Sequence, residues 1–160
     1  MMWRNLLCAM LLALAGSAWA SEDVLVSNAW LRESVPGQNT VSLQLSLTSI
    51  KSAKLIAVST PLADTVQIQI LSPAGRGKMK ARGVDSLRLL RRRTVVFGEN
   101  NVALMLVGLK RELNEGDHVP VTLTVELAGK QLRKVETVAE VRKLELGYKQ
   151  SSGKTVHDHR

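Results

Sequence analysis

Beyond its first twenty residues the sequence holds only two methionines, Met79 and Met105, and three histidines, His118, His157 and His159. Thioethers are soft ligands suited to Cu(I), and together with imidazoles they can hold copper in a protein without thiols. Each methionine lies in a β-type segment, where it can equally serve as core packing. His157-Asp158-His159 offers two imidazoles and a carboxylate, a donor set suited to Cu(II), or is an ordinary polar tail. His118 follows Glu115-Gly116-Asp117 in a turn before a strand and reads as a loop histidine. With so few bases, no nucleophile, base and orienting group assemble, which argues against an enzyme. Gly75-Arg76-Gly77-Lys78 faintly resembles a phosphate loop, but the leading glycine spacing, the Ser/Thr after the lysine and a following helix are missing.

The cations are the other candidate. Arg76, Lys78, Lys80, Arg82, Arg88, Arg91, Arg92 and Arg93 stand in one stretch opposed only by Asp85. Such runs are commonly solvated faces. If residues 78–82 are extended, Lys78, Lys80 and Arg82 share one face and Met79 and Ala81 the other. That face, with Arg91, Arg92 and Arg93, is a candidate docking surface for an acidic protein or anionic lipid.

The elements that must position these groups are strands. Val41, Leu43, Leu45 and Leu47 alternate with Ser42, Gln44, Ser46 and Thr48, the pattern of a half-buried strand. Val66, Ile68 and Ile70 alternate with Gln67 and Gln69, and Val121, Leu123, Val125 and Leu127 alternate with Thr122, Thr124 and Glu126. Less regular β-type runs occur at 24–32, 54–60, 87–90, 94–97, 102–109 and 132–141, making eight or nine strands. Turn signals separate them at Pro36-Gly37, Pro61, Pro73-Ala74-Gly75, Gly98-Glu99-Asn100-Asn101, Asn114-Glu115-Gly116-Asp117 and Ala128-Gly129. No long segment keeps a helical period. The spacing predicts an all-β single domain, a Greek-key sandwich or barrel.

Residues 1–20 read as an export signal: Arg4 gives a positive start, an apolar run extends from Leu6 to Ala15, and Ala18-Trp19-Ala20 precedes Ser21. The apolar run is too short to span a bilayer, and no later segment is long enough. Cys8, the one cysteine, lies ahead of the main apolar run rather than at a cleavage site, so the mature chain carries no disulfide. Removing Arg4 with the signal lowers the net charge from +8 to +7. That balance favours acidic partners or membrane head groups, but scarce aromatics and export argue against nucleic acid. Residues 21–145 form the expected domain and 146–160 a polar, disordered tail.

Four stretches, Asn28-Ala29-Trp30-Leu31-Arg32, residues 64–69, residues 77–82 and the run from Met105 to Thr124, together resemble the PCuAC family of periplasmic copper chaperones. Asn28-Ala29-Trp30-Leu31-Arg32 resembles the family's Asp-Ala-Trp-x-Arg opening, and Asp64-Thr65-Val66-Gln67-Ile68-Gln69 stands where the family reads Val-Glu-Leu-His. Gly77-Lys78-Met79-Lys80-Ala81-Arg82 is similar to its Val-Met-x-Met-Arg segment. The likeness is strongest from Met105-Leu106-Val107-Gly108-Leu109 through Glu115-Gly116-Asp117 to Val119-Pro120-Val121-Thr122-Leu123-Thr124. The resemblance implies a cupredoxin-like sandwich, a core-packed Trp30, and copper delivery to envelope proteins with an oxidase-assembly or copper-transport component as partner. It also implies a ligand pattern of His, ten residues, Met, twenty-one residues, His, one residue, Met. Aligned from Met105, and with one extra residue allowed in the Pro73–Gly77 turn, those positions fall on Gln69, Ala81, Ala103 and Met105, so three of four are replaced. Copper binding is then expected to be weak or absent, resting on Met79 and Met105 with help from His157 and His159.

Overall fold

The computed structural model describes residues 23–99 and 101–143; the expected signal and residues 146–160 lie outside them. Ten strands follow one another: β1 Val24–Arg32, β2 Thr40–Ser49, β3 Ala53–Ser59, β4 Ala63–Pro73, β5 Met79–Val84, β6 Leu87–Leu89, β7 Thr94–Phe97, β8 Val102–Leu109, β9 His118–Glu126 and β10 Leu132–Arg142. The strand expected only conditionally, around residues 78–82, is β5. A single turn of 3-10 helix, Ala128–Lys130, links β9 to β10.

Hydrogen-bonded neighbours run in the order β5-β4-β8-β2-β1-β10-β9-β3-β6, with β7 also paired to β2. All pairs are antiparallel except β1 with β10. This path curls into a β-sandwich, because inward residues of strands far apart along it meet in one core. Leu43, Leu45 and Leu47 of β2 and Val121, Leu123 and Val125 of β9 share that cluster with Leu31, Leu55, Phe97, Leu104 and Leu106. The period-two pattern puts them there: β2 alternates half-buried and buried along its whole length.

Trp30 is not in the core. It is half-buried, while the next residue, Leu31, is fully buried. The reason is a β-bulge between Ser27 and Trp30, where Asn28 takes a φ of 52°. Before the bulge Val24 and Val26 point inward; one extra residue shifts the parity, so Ala29 and Leu31 turn inward and Trp30 turns out. The indole then lies under the Arg142 guanidinium, 5.1 Å from the ring centroid, a cation–π contact on the outer surface.

Between β4 and β5 the chain turns at Gly75-Arg76-Gly77-Lys78. The Lys78 N–H donates to the Gly75 carbonyl (3.0 Å) and the Ala74 N–H to the Lys78 carbonyl (2.8 Å). Arg76 and Gly77, the central residues, have φ values of 51° and 70°, the left-handed pair that matches strand twist in tight hairpins. The segment with a faint phosphate-loop likeness is therefore a hairpin tip leading into a strand, and no helix follows to receive a phosphate.

Two substitutions separate the core from the outer face. Phe97→Ala should cost about 3–5 kcal/mol, as for other fully buried large aromatics. Trp30→Ala should cost less than about 2 kcal/mol, because it removes a half-buried ring and one cation–π contact. Urea unfolding midpoints of the two variants check this, and equal losses would return Trp30 to the core.

Candidate functional site

The outer face of β4 is built from Thr65, Gln67, Gln69 and Leu71, the residues that alternate with the inward Val66, Ile68 and Ile70. Gln69 lies directly opposite Ala103 of β8 on one side and Gly83 of β5 on the other. Directly paired residues share a face, so these three side-chain positions form one row. Met105, two residues beyond Ala103, is opposite both Gln67 of β4 and Ser42 of β2. Ala81, opposite Leu71, is the diagonal neighbour of Gln69 in the other direction. The four positions singled out by motif spacing, Gln69, Ala81, Ala103 and Met105, thus gather around Gln69 on a single outer face.

What they offer there is poor in soft donors. Met105 is half-buried and Ala103 is buried, and neither alanine has a donor atom. The Gln69 amide donates to the Gln67 carbonyl oxygen at 3.2 Å, so the two glutamines bind each other, and their oxygens are hard donors mismatched to Cu(I). Around Met105 the cross-strand neighbours are a hydroxyl and an amide. These residues do not fit a tight Cu(I) site.

Met79 does not complete the set. It is exposed at the start of β5, opposite Pro73, whereas Met105 is opposite Gln67. The six residues from Gln67 to Pro73 put them ~20 Å apart along the strands, before the spacing across two strands is added. Two thioethers at that separation cannot share an ion. His118, exposed at the start of β9, faces Glu140 of β10, and β10, β1, β2 and β8 lie between it and β4. His157 and His159 lie outside the described residues.

The cations divide between two places. Lys80 and Arg82 are exposed on β5, opposite Ser72 and Ile70, with Lys78 just before the strand. Arg91, Arg92 and Arg93 form the exposed turn between β6 and β7, where the Arg92 N–H donates to the Ser49 carbonyl (2.7 Å). The stretch that reads as continuous is interrupted by Val84, Leu87 and the fully buried Leu89, which the chain turns back into the sandwich.

The sequence did not single out Gln67 and Ser42, which border the Gln69 row, or Gly83, which completes it. The alternation of β4 pointed to Gln67, but partner strands and their register were needed for the other two. Trp30, Gln44 and Arg142 continue the outer face across β2, β1 and β10. Gly98 beside Gln44 takes a φ of 94°, which favours glycine at that position.

The turn before β9 is held by one carboxylate. Asp117 Oδ2 accepts from Arg111 Nη1 (2.7 Å) and from the Asn114 N–H (3.0 Å). The Arg111 hydrogen bond first, and the Asn114 one second, hold its pKa below the usual 3.8. A folded-state pKa below the unfolded one stabilises above the unfolded value, and the contribution is lost as pH falls through the lower one.

A model of the putative lipoprotein LpqE-like family matches residues 24–138. A search of curated proteins finds no match. Among solved structures, the apo PCuAC domain from PmoF1 superposes with a TM-score of 0.62 at 18% identity, covering 76% of this chain and 95% of that one. The copper-bound PCuAC domain from PmoF2 gives 0.60 at 21%, covering 76% and 94%. The solution structure of apo-DR1885 from Deinococcus radiodurans gives 0.56 at 26%, covering 91% and 96%. The expected cupredoxin-like sandwich is the fold found.

The Asp117 contacts predict that urea-unfolding stability falls as the pH is lowered below about 4, and that Asp117→Asn makes this part of the profile flatter. An unchanged acid limb in the variant would show that the carboxylate contributes nothing there.

Proposed function

The chain belongs to the LpqE-like family of putative lipoproteins, and from that premise we propose that it is an exported, non-catalytic copper-chaperone homologue whose sandwich has given up tight copper binding. The observation that carries the proposal is the gathering of Gln69, Ala81, Ala103 and Met105 on one outer face, with Met105 as its one soft donor. The structural likeness to a copper-bound PCuAC domain supports the scaffold, and the replaced residues argue for weak handling of the metal. Under this reading the protein acts in the periplasm after losing residues 1–20. Copper is its cargo, and an oxidase-assembly or copper-transport component is its class of partner. His157 and His159 supply whatever Cu(II) affinity the chain has, since imidazoles suit that ion.

A second, metal-independent reading is favoured by the cations: Lys78, Lys80, Arg82, Arg91, Arg92 and Arg93 take part in none of the ion pairs among the described residues. Such a surface suits docking on an acidic envelope partner.

Titration with Cu(I) against a chromogenic chelator tests the first reading. The mature chain should lose to the chelator, and Gln69→His, Ala81→Met and Ala103→His together should create tight one-to-one binding. Deleting residues 151–160 should remove most Cu(II) binding. Stoichiometric, chelator-resistant Cu(I) in the otherwise unaltered protein without that tail would contradict the proposal.

A further inference from the structure

We propose that the free edge of β5 accepts an extended acidic segment of a partner protein as an added strand. The inference deepens the docking reading and does not depend on copper. Among the described residues β5 ends the hydrogen-bonded order, with β4 on one side and no strand on the other. Which backbone groups it leaves free follows from two observations. Pro73, opposite Met79, has no N–H to give, and the Leu71 N–H, opposite Ala81, points away from β5 to the Asn101 carbonyl at 2.8 Å. Pairs in an antiparallel ladder alternate between bonded and non-bonded. Met79, Ala81 and Gly83 therefore sit in the non-bonded pairs and aim their N–H and C=O groups at the open edge.

Charge selects the occupant. Between Asp64 and Asp85 the chain has no acidic residue, and Arg76, Lys78, Lys80 and Arg82 are its only charged groups. Lys78, Lys80 and Arg82 recur every second residue, so their charges line one side of that edge at a spacing of ~7 Å, which is the spacing of alternate side chains on an incoming strand. Cations on an edge strand repel a second copy of the same edge and so block self-pairing. They attract a strand whose alternate residues are carboxylates. Backbone pairing would then supply affinity and the charges selectivity. The chain's own tail is a poor candidate, because residues 144–160 contain Glu145 and Asp158 against Lys149, Lys154 and Arg160.

The test uses the mature chain and a labelled nine-residue peptide with Glu at alternate positions and Thr or Val between, followed by fluorescence anisotropy. Lys78→Glu, Lys80→Glu and Arg82→Glu together should weaken binding at least tenfold. Ala81→Pro should do the same with every charge kept, because it removes an outward N–H and no β4–β5 bond. Should that variant fold poorly, amide exchange replaces it: the peptide should slow exchange at Met79, Ala81 and Gly83 in the unaltered protein. If charge reversal abolishes binding while Ala81→Pro leaves it within twofold, or exchange at those amides is unchanged, strand addition is overturned and the docking reading stands. If neither change matters, or the peptide does not bind, both fall. Binding to phosphatidylglycerol vesicles but not to the peptide would likewise overturn the proposal in favour of a lipid surface.

Discussion

The register in which β4 pairs with β8 and β5 governs the candidate site. It sets Gln69 opposite both Ala103 and Gly83, and it sends Ile68 and Leu104 together into the core. The two consequences are inseparable, because side chains alternate across a strand and a slip of one residue would exchange the faces. Burying Ile68 and Leu104 is thus what keeps Gln69, Ala103 and Met105 outside. The core stabilises the arrangement whether or not the outer face binds anything, so residues of that face can vary without loss of the fold.

That separation lets a chain with the fold of PCuAC domains carry an outer face around Gln69 that is poor in soft donors. Alanine at positions 81 and 103 costs the sandwich little, since those side chains are not among the hydrophobic core cluster. Neither alanine offers a metal ion a donor atom. The hydrogen bond between Gln67 and Gln69 gives the face a polar closure of its own. Among the described residues β5, beside β4, has no such closure: its cations join no ion pair and no strand pairs with its outer edge.

Much of the fold was legible because the strongest strands bury one face and expose the other. Val41 to Leu47 and Val121 to Leu127 announce themselves by strict alternation, and their inward residues are those the alternation names. The opening strand was harder. Ala29, Trp30 and Leu31 are consecutive apolar residues, so periodicity cannot say which faces inward, and the parity is decided by a bulge at Asn28 that no residue pattern advertises. Spacing along the chain also concealed the distance between Met79 and Met105, since both belong to β-type segments and only the register shows them far apart along the strands. For the same reason the basic stretch read as one surface, although Leu89 is pulled into the core and divides it. The gathering of Gln69, Ala81, Ala103 and Met105 depended on strand pairing, which a motif with fixed spacing implies but composition does not.

The measurement closest to the centre of this account is a set of nuclear Overhauser contacts from the Gln69 side chain in the isotopically labelled mature protein. The register described here predicts contacts from the Gln69 side-chain amide to the Ala103 methyl and to Gly83, with the Met105 methyl close to Gln67. Contacts from Gln69 to the methyls of Leu104 would mean that β4 is slipped by one residue, that Gln69 faces inward, and that the outer face described here does not exist.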